Sequence, residues 1–258
     1  MRAVRADLPN EHKSIEIVIF SDWHYSDPNS AHDLIQCDID YVLSHDNAYC
    51  VWVGDLMNCA LKSSISDVYG DLSPMTELSA ISQLLAPVVP KTIGVVDGNH
   101  EARHYRTNGV DMTRLLCRQL GIENKYEPDA LVPFIRFGRD ENPASRHRPV
   151  LYTMYLTHGS GGGRKEGGKI QRLADYAEII DCDCYVVGHT HLPAALKLDF
   201  ARTSPANSSI SYATHLFVNA AAKLRYGGYG CRGGFKPANT DTPRIILDGT
   251  TKHMEAIV

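Results

Sequence analysis

The chain is predicted to be an α/β protein whose strands deliver polar side chains to one edge of a sheet. Three observations predict this class: five apolar runs each end in a polar cluster, helical periodicity separates the first several runs, and the last third of the chain shows only strand and turn patterns. Short apolar runs are typical of buried strands. Alternation of such strands with helices is typical of sheets whose ligands lie at the strands' carboxyl ends.

In the first half of the chain, apolar runs predict strands and a 3.6-residue periodicity predicts helices. Pro87 ends the second helix and Gly121 the third, because proline cannot continue a helix and glycine favours its left-handed C-terminal position. The polar segment 62–73 is interpreted as a loop or cap. The predicted strands are 15–20, 48–53 and 91–96, and the predicted helices are 31–44, 76–85 and 110–120.

The second half begins with a similar alternation and then changes to strands and turns. A charged turn region, a glycine-rich loop and one helix are expected at 138–149, 159–168 and 170–180. No internal repeat and no linker interrupts the pattern, so a single domain over residues 1–258 is predicted. The predicted strands are 134–137, 150–156, 184–187, 194–200, 211–218, 244–247 and 252–258.

Composition narrows the class of protein. The chain has 258 residues, of which 43% are hydrophobic and 22% charged, as in ordinary globular proteins with a sizeable core. A protein that bound nucleic acid mainly through its phosphates would usually be basic, whereas this chain has a net charge of −4. The charge argues against a dedicated nucleic-acid binder but not against an enzyme that acts on nucleic acid.

Cysteine usage and hydropathy indicate a cytoplasmic protein. The seven cysteines include no C-x-x-C pair, so neither a zinc ribbon nor a redox motif is predicted, and their place in apolar runs favours a reducing compartment. Residues 1–10 lack the apolar segment of a signal peptide. No apolar stretch approaches the roughly 20 residues of a membrane span. No membrane association and no obligate protein partner are therefore expected.

The polar clusters at the strand ends contain carboxylate, amide and imidazole groups but no thiolate. Such groups suit Mn, Fe or Zn rather than a soft metal. They are too many for one tetrahedral ion, whereas two ions about 3.5–4 Å apart that share a bridging carboxylate would use them all. The clusters contribute Asp22, His24, Asp55, Asn99, His100, His158, His189 and His191.

Together, these clusters resemble the signature of the calcineurin-like metallophosphoesterases. Five blocks match in order over roughly residues 15–220: Asp22-Trp23-His24, Gly54-Asp55, Gly98-Asn99-His100-Glu101, Thr157-His158-Gly159 and Gly188-His189-Thr190-His191. The resemblance implies a four-layer α/β/β/α sandwich, in which two mixed sheets are flanked by helices. The strand-rich C-terminal third is in keeping with the second sheet.

The resemblance also implies a role for each matched residue. Asp22, His24 and His191 would bind the first metal, and Asn99, His158 and His189 the second. Asp55 would bridge the two ions, with a water or hydroxide as the other bridge. His100 would not be a ligand but would face the substrate, stabilise the phosphoryl charge and protonate the leaving oxygen. The expected ions are two transition metals, manganese first, with Fe, Zn, Ni or Co as alternatives.

One position departs from the protein Ser/Thr phosphatase branch of the family. Where that branch has an aspartate followed by Arg-Gly, this chain has Asn58 followed by Cys59-Ala60. Asn58 can hydrogen-bond His100 but cannot stabilise an imidazolium as a carboxylate would. The phosphate-binding arginine is also missing. This departure argues against phosphoprotein substrates and favours phosphodiesters, nucleotides or nucleic acid.

Three residues and two segments are candidates for substrate contact. Asn58, Arg103 and Arg164 are predicted to bind substrate, the last from the glycine-rich loop 159–168, whose amides could also bind phosphate or form a lid or tight turn. The tail 224–237 interleaves aromatic and basic residues, as single-strand binders do, although a packed surface loop explains it as well. Both segments are similar to those of bacteriophage and prophage phosphoesterases.

The sequence therefore predicts a dinuclear metal-dependent phosphoesterase that acts on phosphodiesters. A nuclease of the DNA-repair or phage type is the alternative within enzymes, but the chain is short and acidic for one. A non-catalytic scaffold on the same fold would be expected to have lost ligands, whereas every ligand position and His100 are intact.

Overall fold

The structure is a computed structural model that describes residues 1–62, 64, 72–163 and 165–258. Its strands are β1 (Arg2–Asp7), β2 (Ser14–Phe20), β3 (Ala48–Val53), β4 (Thr92–Val96), β5 (Tyr126–Glu127), β6 (Ala130–Phe137), β7 (Val150–Thr157), β8 (Cys184–Val187), β9 (Ala194–Ser204), β10 (Ser209–Asn219), β11 (Arg244–Asp248) and β12 (Met254–Ile257). Its helices are α1 (His32–Ser44), α2 (Pro74–Leu85), α3 (Ala102–Asn108), α4 (Met112–Gln119), α5 (Glu166–Asp175) and the short α6 (Gly228–Arg232).

The strands form two mixed sheets of six strands each. The first sheet has the order β12-β11-β2-β3-β4-β5, in which β2 to β5 are parallel and β11 and β12 are antiparallel additions. The second sheet has the order β1-β6-β7-β8-β10-β9, with β7, β8 and β10 parallel. The parallel strands place the carboxyl ends of β2, β3 and β4 at one edge of the first sheet, and those of β7 and β8 at one edge of the second.

Alternation of side chains along the strands builds three apolar layers. In β2, Ile15, Ile17 and Ile19 face the second sheet and form the central core with residues such as Tyr152. On the other face of the first sheet, Val18 and Phe20 pack against α1, α2 and α4. Leu173 of α5 covers the outer face of the second sheet. The result is the predicted α/β/β/α sandwich of two mixed sheets flanked by helices.

Most predicted elements are present, although some boundaries were wrong. The strand predicted at 134–137 is the eight-residue β6, and the helix predicted at 170–180 begins at Glu166 and ends at Asp175. The short α6 lies in the tail that was expected to hold only strands and turns. Three further strands and helices were missed, namely β1, α3 and β5. Much of the loop predicted at 62–73 lies outside the described residues.

Two further expectations concern the membrane and the cysteines. In the described ranges, no helix is long and apolar enough to cross a membrane. All seven cysteines are free thiols; five are buried and act as core residues rather than cross-links, whereas Cys37 and Cys231 are exposed.

Candidate metal centre

Polar loops at the carboxyl ends of five strands converge where the edges of the two sheets meet. The loop after β8 lies against the first sheet, because a Cβ added to Gly188 would lie 2.6 Å from Ser21 Oγ and 3.0 Å from Asp22 Oδ2. The His158 ring, after β7, donates from Nδ1 to the carbonyl of Val53 at the end of β3 over 2.7 Å. Both contacts join a loop of the second sheet to the strand ends of the first sheet, so the predicted ligands of the two sheets lie side by side.

Five of the predicted ligands have a left-handed backbone conformation. The φ angles are 52° at Asp22, 44° at His24, 52° at Asp55, 68° at His189 and 53° at His191. This region costs a non-glycine residue on the order of 1–3 kcal/mol and recurs at active sites, where the surrounding fold maintains it. The sharp turns aim successive side chains at a common point, so local strain is concentrated at the candidate site.

The first group of donors consists of Asp22, His24 and His191. One ligand atom from each lies within 4.8 Å of the others. Nε2 of His191 is 3.1 Å from Asp22 Oδ1 and 3.4 Å from His24 Nε2. Asp22 and His24 are buried, whereas His191 is half-buried and closes the group on the open side. Two nitrogens and one carboxylate oxygen therefore converge at one point.

The second group consists of Asp55, Asn99, His158 and His189. Nε2 of His158 is 3.2 Å from Asp55 Oδ2 and 3.1 Å from Asn99 Oδ1, and Asn99 Oδ1 is 2.6 Å from His189 Nδ1. Because Nδ1 of His158 donates to a carbonyl, its Nε2 is the nitrogen directed at the cluster. Asp55 Oδ2 also lies 4.0 Å from His24 Nε2, which places this carboxylate between the two groups.

The electrostatics of the cluster suit a cation. Burial alone would raise the pKa of the Asp22 carboxyl, but the neighbouring His191 imidazole lowers it to about 2. Burial alone would lower the pKa of the His158 ring, but the Asp55 carboxylate raises it to about 10. The Asp55 carboxylate thus favours a positive charge on the His158 ring. A metal ion would compete with the proton for the ring nitrogen, because ligation requires the deprotonated imidazole.

One buried atom gives an independent test of metal fit. Asp22 Oδ1 is fully buried and accepts no hydrogen bond of good geometry from the described residues, although His191 Nε2 lies 3.1 Å away. Burial of a carboxylate oxygen without a hydrogen bond or a cation is costly. An oxygen with a free lone pair, beside two imidazoles, is a suitable ligand for a borderline transition metal. The residues present therefore fit the implied metal.

The structure places His100 beside the cluster but ties its ring to the β3–α2 loop. Its Nδ1 donates to the Asn58 carbonyl over 2.9 Å and lies 3.2 Å from Asn58 Oδ1, and its Nε2 is 3.8 Å from Asp55 Oδ2. Burial lowers the pKa of this ring, although the Asp55 carboxylate opposes the shift. His100 also forms a third potential metal group with His24 and Asp55. The expected contact with Asn58 is present.

The predicted substrate residues fall in different places. Asn58 is buried under His100, whereas Arg103 is half-buried and reaches towards the carbonyl of Asn58, 3.5 Å from its Nη1. Arg164 lies outside the described residues. The tail 224–237 and α5 are linked by an ion pair between Lys236 and Glu166, and the tail packs by Arg225 against Asp33. The tail therefore lies beside the helix that follows the glycine-rich loop.

Sequence reasoning missed two buried glutamates that hold the loop around Asp55. Glu101 accepts hydrogen bonds from the backbone N–H groups of Asp55 and Met57, at 3.1 and 2.8 Å. Glu77 of α2 accepts from those of Ser26 and Asn58, at 2.9 and 2.7 Å. The fourth residue of the G-N-H-E block was a signal for Glu101. Glu77 had none, because only the fold brings α2 under this loop.

The turn that carries His189 and His191 is held by Asn219 and Lys169. Asn219 Nδ2 donates to Thr190 Oγ1 over 2.7 Å and to the Leu192 carbonyl over 2.5 Å. Lys169 Nζ donates to the Thr190 carbonyl over 2.6 Å. Thr190 therefore does more than space the two histidines, since it anchors both of them to β10 and α5.

Asn219→Ala is expected to weaken metal binding by about 10- to 100-fold, the usual effect of removing a residue that orients metal ligands. The measurement is the Mn²⁺ concentration for half-maximal hydrolysis, together with direct Mn²⁺ binding by calorimetry. Asn207→Ala is the matched control, because Asn207 is exposed and bonds only Ser204 Oγ among the described residues. An unchanged Mn²⁺ requirement in folded Asn219→Ala protein would refute the orienting role.

The family model of the calcineurin-like phosphoesterases matches residues 15–193. No curated protein sequence matches the chain.

Among solved structures, the chain is similar to a predicted phosphoesterase from Streptococcus pneumoniae, with 14% identity, 95% of this chain and 90% of that chain covered, and a TM-score of 0.40. It is similar to a mutant of Vps29 from Entamoeba histolytica, with 11% identity, coverages of 94% and 98%, and a TM-score of 0.41. It is also similar to GAP50, described as the anchor in the inner membrane complex of Plasmodium, with 8% identity, coverages of 95% and 85%, and a TM-score of 0.44.

Proposed function

The chain belongs to the calcineurin-like phosphoesterase family, and on that premise we propose that it hydrolyses phosphodiesters at a dinuclear metal centre. Membership makes it a metal-dependent hydrolase of phosphoric esters, whose substrate carries a phosphate ester. The observation that carries the proposal is the convergence of the predicted donors in two adjoining groups, with the Asp55 carboxylate between them.

The proposed ligand sets follow the two groups. Asp22, His24 and His191 would hold the first ion, and Asn99, His158 and His189 the second. Asp55 would bridge them, since its Oδ2 lies within 4.0 Å of a histidine nitrogen from each set. Manganese is the proposed metal, with Fe, Zn, Ni and Co as alternatives, because hard oxygen and borderline nitrogen donors accept all of these.

When bound, two such ions would activate water as a nucleophile and neutralise the charge of the phosphoryl group. The chain's own residues supply the rest of the chemistry. Glu101 fixes the backbone amide of Asp55, and Asp55 Oδ1 accepts from the backbone N–H of His100 over 2.8 Å, so the bridge and the proposed acid are held in one network. Buried, fixed donors need little rearrangement as charge develops, which favours the transition state.

His100 is the proposed general acid. Its Nδ1–H donates to Asn58, which fixes the ring and leaves Nε2 on the side of the Asp55 carboxylate. A ring in this position can stabilise phosphoryl charge and protonate the leaving oxygen. Arg103, near Asn58 and half-buried, is proposed to contact the substrate's phosphate. Arg164 remains a proposed substrate residue on sequence grounds.

Asn58 stands where the protein Ser/Thr phosphatase branch has an aspartate, and its contact with His100 favours phosphodiesters over phosphoproteins as substrates. The Asn58 side chain meets His100 through a neutral amide oxygen at 3.2 Å, which cannot stabilise an imidazolium as a carboxylate would. Nuclease activity is the second candidate, because a large cavity adjoins Asn99 and His158. The complete ligand set argues against a non-catalytic scaffold.

Three further features of the protein belong to the same proposal. A single domain over residues 1–258 is supported by the central core, to which strands of both sheets contribute. A cytoplasmic location is supported by the sequence and by the free state of the seven cysteines. No obligate protein partner is proposed.

The function is tested by hydrolysis of bis(p-nitrophenyl) phosphate after removal of metal with a chelator. We expect no turnover in the stripped protein and recovery on addition of Mn²⁺, because the nucleophile depends on the metal. Fe, Zn, Co and Ni are tested in parallel, and circular dichroism shows that the stripped protein is folded. Folded protein that is inactive with all five metals would refute the proposal.

A further inference from the structure

A cavity of about 1130 Å³ begins at two of the proposed ligands of the second metal, Asn99 and His158. It extends away from the metal cluster to residues of α3 and α4. Pockets for drug-sized ligands are typically about 300–1,000 Å³, so this volume exceeds what a single phosphate group with two small substituents needs. The cavity therefore has room for parts of a substrate that adjoin the reacting phosphate.

One face of α3 and one face of α4 line this cavity. From α3 and its C-cap come Ala102, Tyr105, Arg106 and Gly109, and from α4 and its N-cap come Asp111, Arg114, Leu115 and Arg118. Each set follows the i, i+3, i+4, i+7 spacing of one helical face. The opposite wall includes Tyr155, Thr157 and Tyr176 on the side of the second sheet. The cavity is thus a channel between α3–α4 and the second sheet.

The arginines that line the channel differ in whether a carboxylate already pairs with them. Arg114 and Arg118 are engaged by carboxylates, at 3.1 Å from Asp111 and 2.8 Å from Glu123 respectively. Arg106 is exposed, and no ion pair or hydrogen bond joins its side chain to any residue in the described part of the chain. Since guanidinium groups bind phosphate with strong charge-assisted hydrogen bonds, Arg106 is the side chain of the channel best placed to receive one.

An aromatic surface accompanies that charge. Tyr105 precedes Arg106 on α3 and is 62% exposed, which is high for so large an apolar ring. Tyr155 and Tyr176 line the facing wall with ring centroids 5.8 Å apart. Aromatic faces bind nucleobases by stacking, largely without regard to sequence. An aromatic side chain beside a free arginine matches the alternating base and phosphate of a nucleotide chain.

We propose that this channel binds the nucleotide segment next to the scissile phosphate of a single-stranded nucleic acid, with Arg106 at the neighbouring phosphate and Tyr105 under a base. The proposal rests on the proposed phosphodiesterase function. Among the described residues that line the channel, Arg106 is the one arginine without an ion pair, and this, with a net charge of −4, suits a short single strand rather than a duplex held by many phosphate contacts.

The test compares single-stranded oligonucleotides of two to eight nucleotides with bis(p-nitrophenyl) phosphate, all with Mn²⁺. For the wild type, kcat/KM is expected to rise as the oligonucleotide lengthens enough to fill the channel. In Arg106→Ala, kcat/KM for the octanucleotide is expected to fall about tenfold more than that for the small diester, because a charge-assisted contact to phosphate is lost. The slope of log KM against log salt should decrease by about 0.7, the value for one phosphate contact to a single strand.

Arg5→Ala is the matched control, because Arg5 is an exposed arginine on β1 that pairs with Asp7. Equal effects of Arg106→Ala on the oligonucleotide and the small diester, an unchanged salt slope, or faster hydrolysis of a duplex or a phosphopeptide would overturn the proposal. If folded protein hydrolyses neither diester, the proposed function fails by itself. Binding of a fluorescent octanucleotide then tests whether the channel holds a single strand. Binding weakened by Arg106→Ala supports the proposal, and absence of binding refutes it.

Discussion

Replacement of Asp55 by asparagine is expected to reduce turnover by about a thousandfold or more. The carboxylate lies between the two donor groups, 3.2 Å from His158 Nε2 and 4.0 Å from His24 Nε2. An asparagine has nearly the same shape but only one acceptor atom and no charge, so it cannot bridge two cations. Replacement of a residue that merely orients a metal ligand lowers metal affinity or activity by about 10- to 100-fold. Replacement of a ligand shared by two ions should lower activity further. The measurements are kcat for bis(p-nitrophenyl) phosphate and metal content.

Asp199→Asn is the control for this variant. Asp199 is an exposed carboxylate on β9 that accepts a hydrogen bond from Thr214 Oγ1 over 2.6 Å, and it belongs to none of the ligand blocks. It should retain wild-type turnover and metal content. If Asp55→Asn protein is folded and turns over within a few-fold of the wild-type rate, the bridging role of Asp55 is wrong.

Replacement of His100 by alanine is expected to lower kcat by about 100- to 10,000-fold while both metals are retained. A positioned general acid contributes about this much. The effect should be smaller for bis(p-nitrophenyl) phosphate than for a nucleotide diester, because p-nitrophenolate leaves readily without a proton whereas a sugar alkoxide does not. The measurements are kcat for both substrates and metal content by mass spectrometry.

His253→Ala is the matched control, since His253 is exposed and lies beside Glu255 on the C-terminal strand. Its kcat and metal content should equal those of the wild type. The structure allows a competing role for His100, because this ring also groups with His24 and Asp55. A loss of metal from His100→Ala protein would show that His100 is a ligand. An equal loss of rate on both diesters would show that His100 does not act as the acid.

The strands and the ligand blocks could be predicted from the sequence because both are local signals. The run 15–20 is almost wholly apolar and ends at Asp22, so one short stretch predicts a buried strand and the ligand that follows it. The helix α3 gave no such signal, since Ala102–Asn108 is polar apart from Ala102 and Tyr105 and has no apolar stripe. The strand β1 is an edge strand with an exposed, charged face, and its apolar residues Ala3, Val4 and Ala6 are too few to predict it.

The roles of Glu77 and Asn219 could not be predicted because they depend on contacts between distant parts of the chain. Glu77 reaches Ser26 across 51 residues, and Asn219 reaches Thr190 across 29. In the sequence, an isolated glutamate or asparagine within an apolar element has no recognisable partner. The start of α5 at Glu166 was missed for a local reason, because Gly167 and Gly168 have low helix propensity.

Anomalous diffraction from crystals of the Mn²⁺-loaded protein tests the dinuclear centre most directly. We expect two manganese peaks, one among Asp22, His24 and His191 and the other among Asn99, His158 and His189, with the Asp55 carboxylate contacting both and the His100 ring contacting neither. A single peak bound by His24, Asp55 and His100, with no ion among Asn99, His158 and His189, would contradict it.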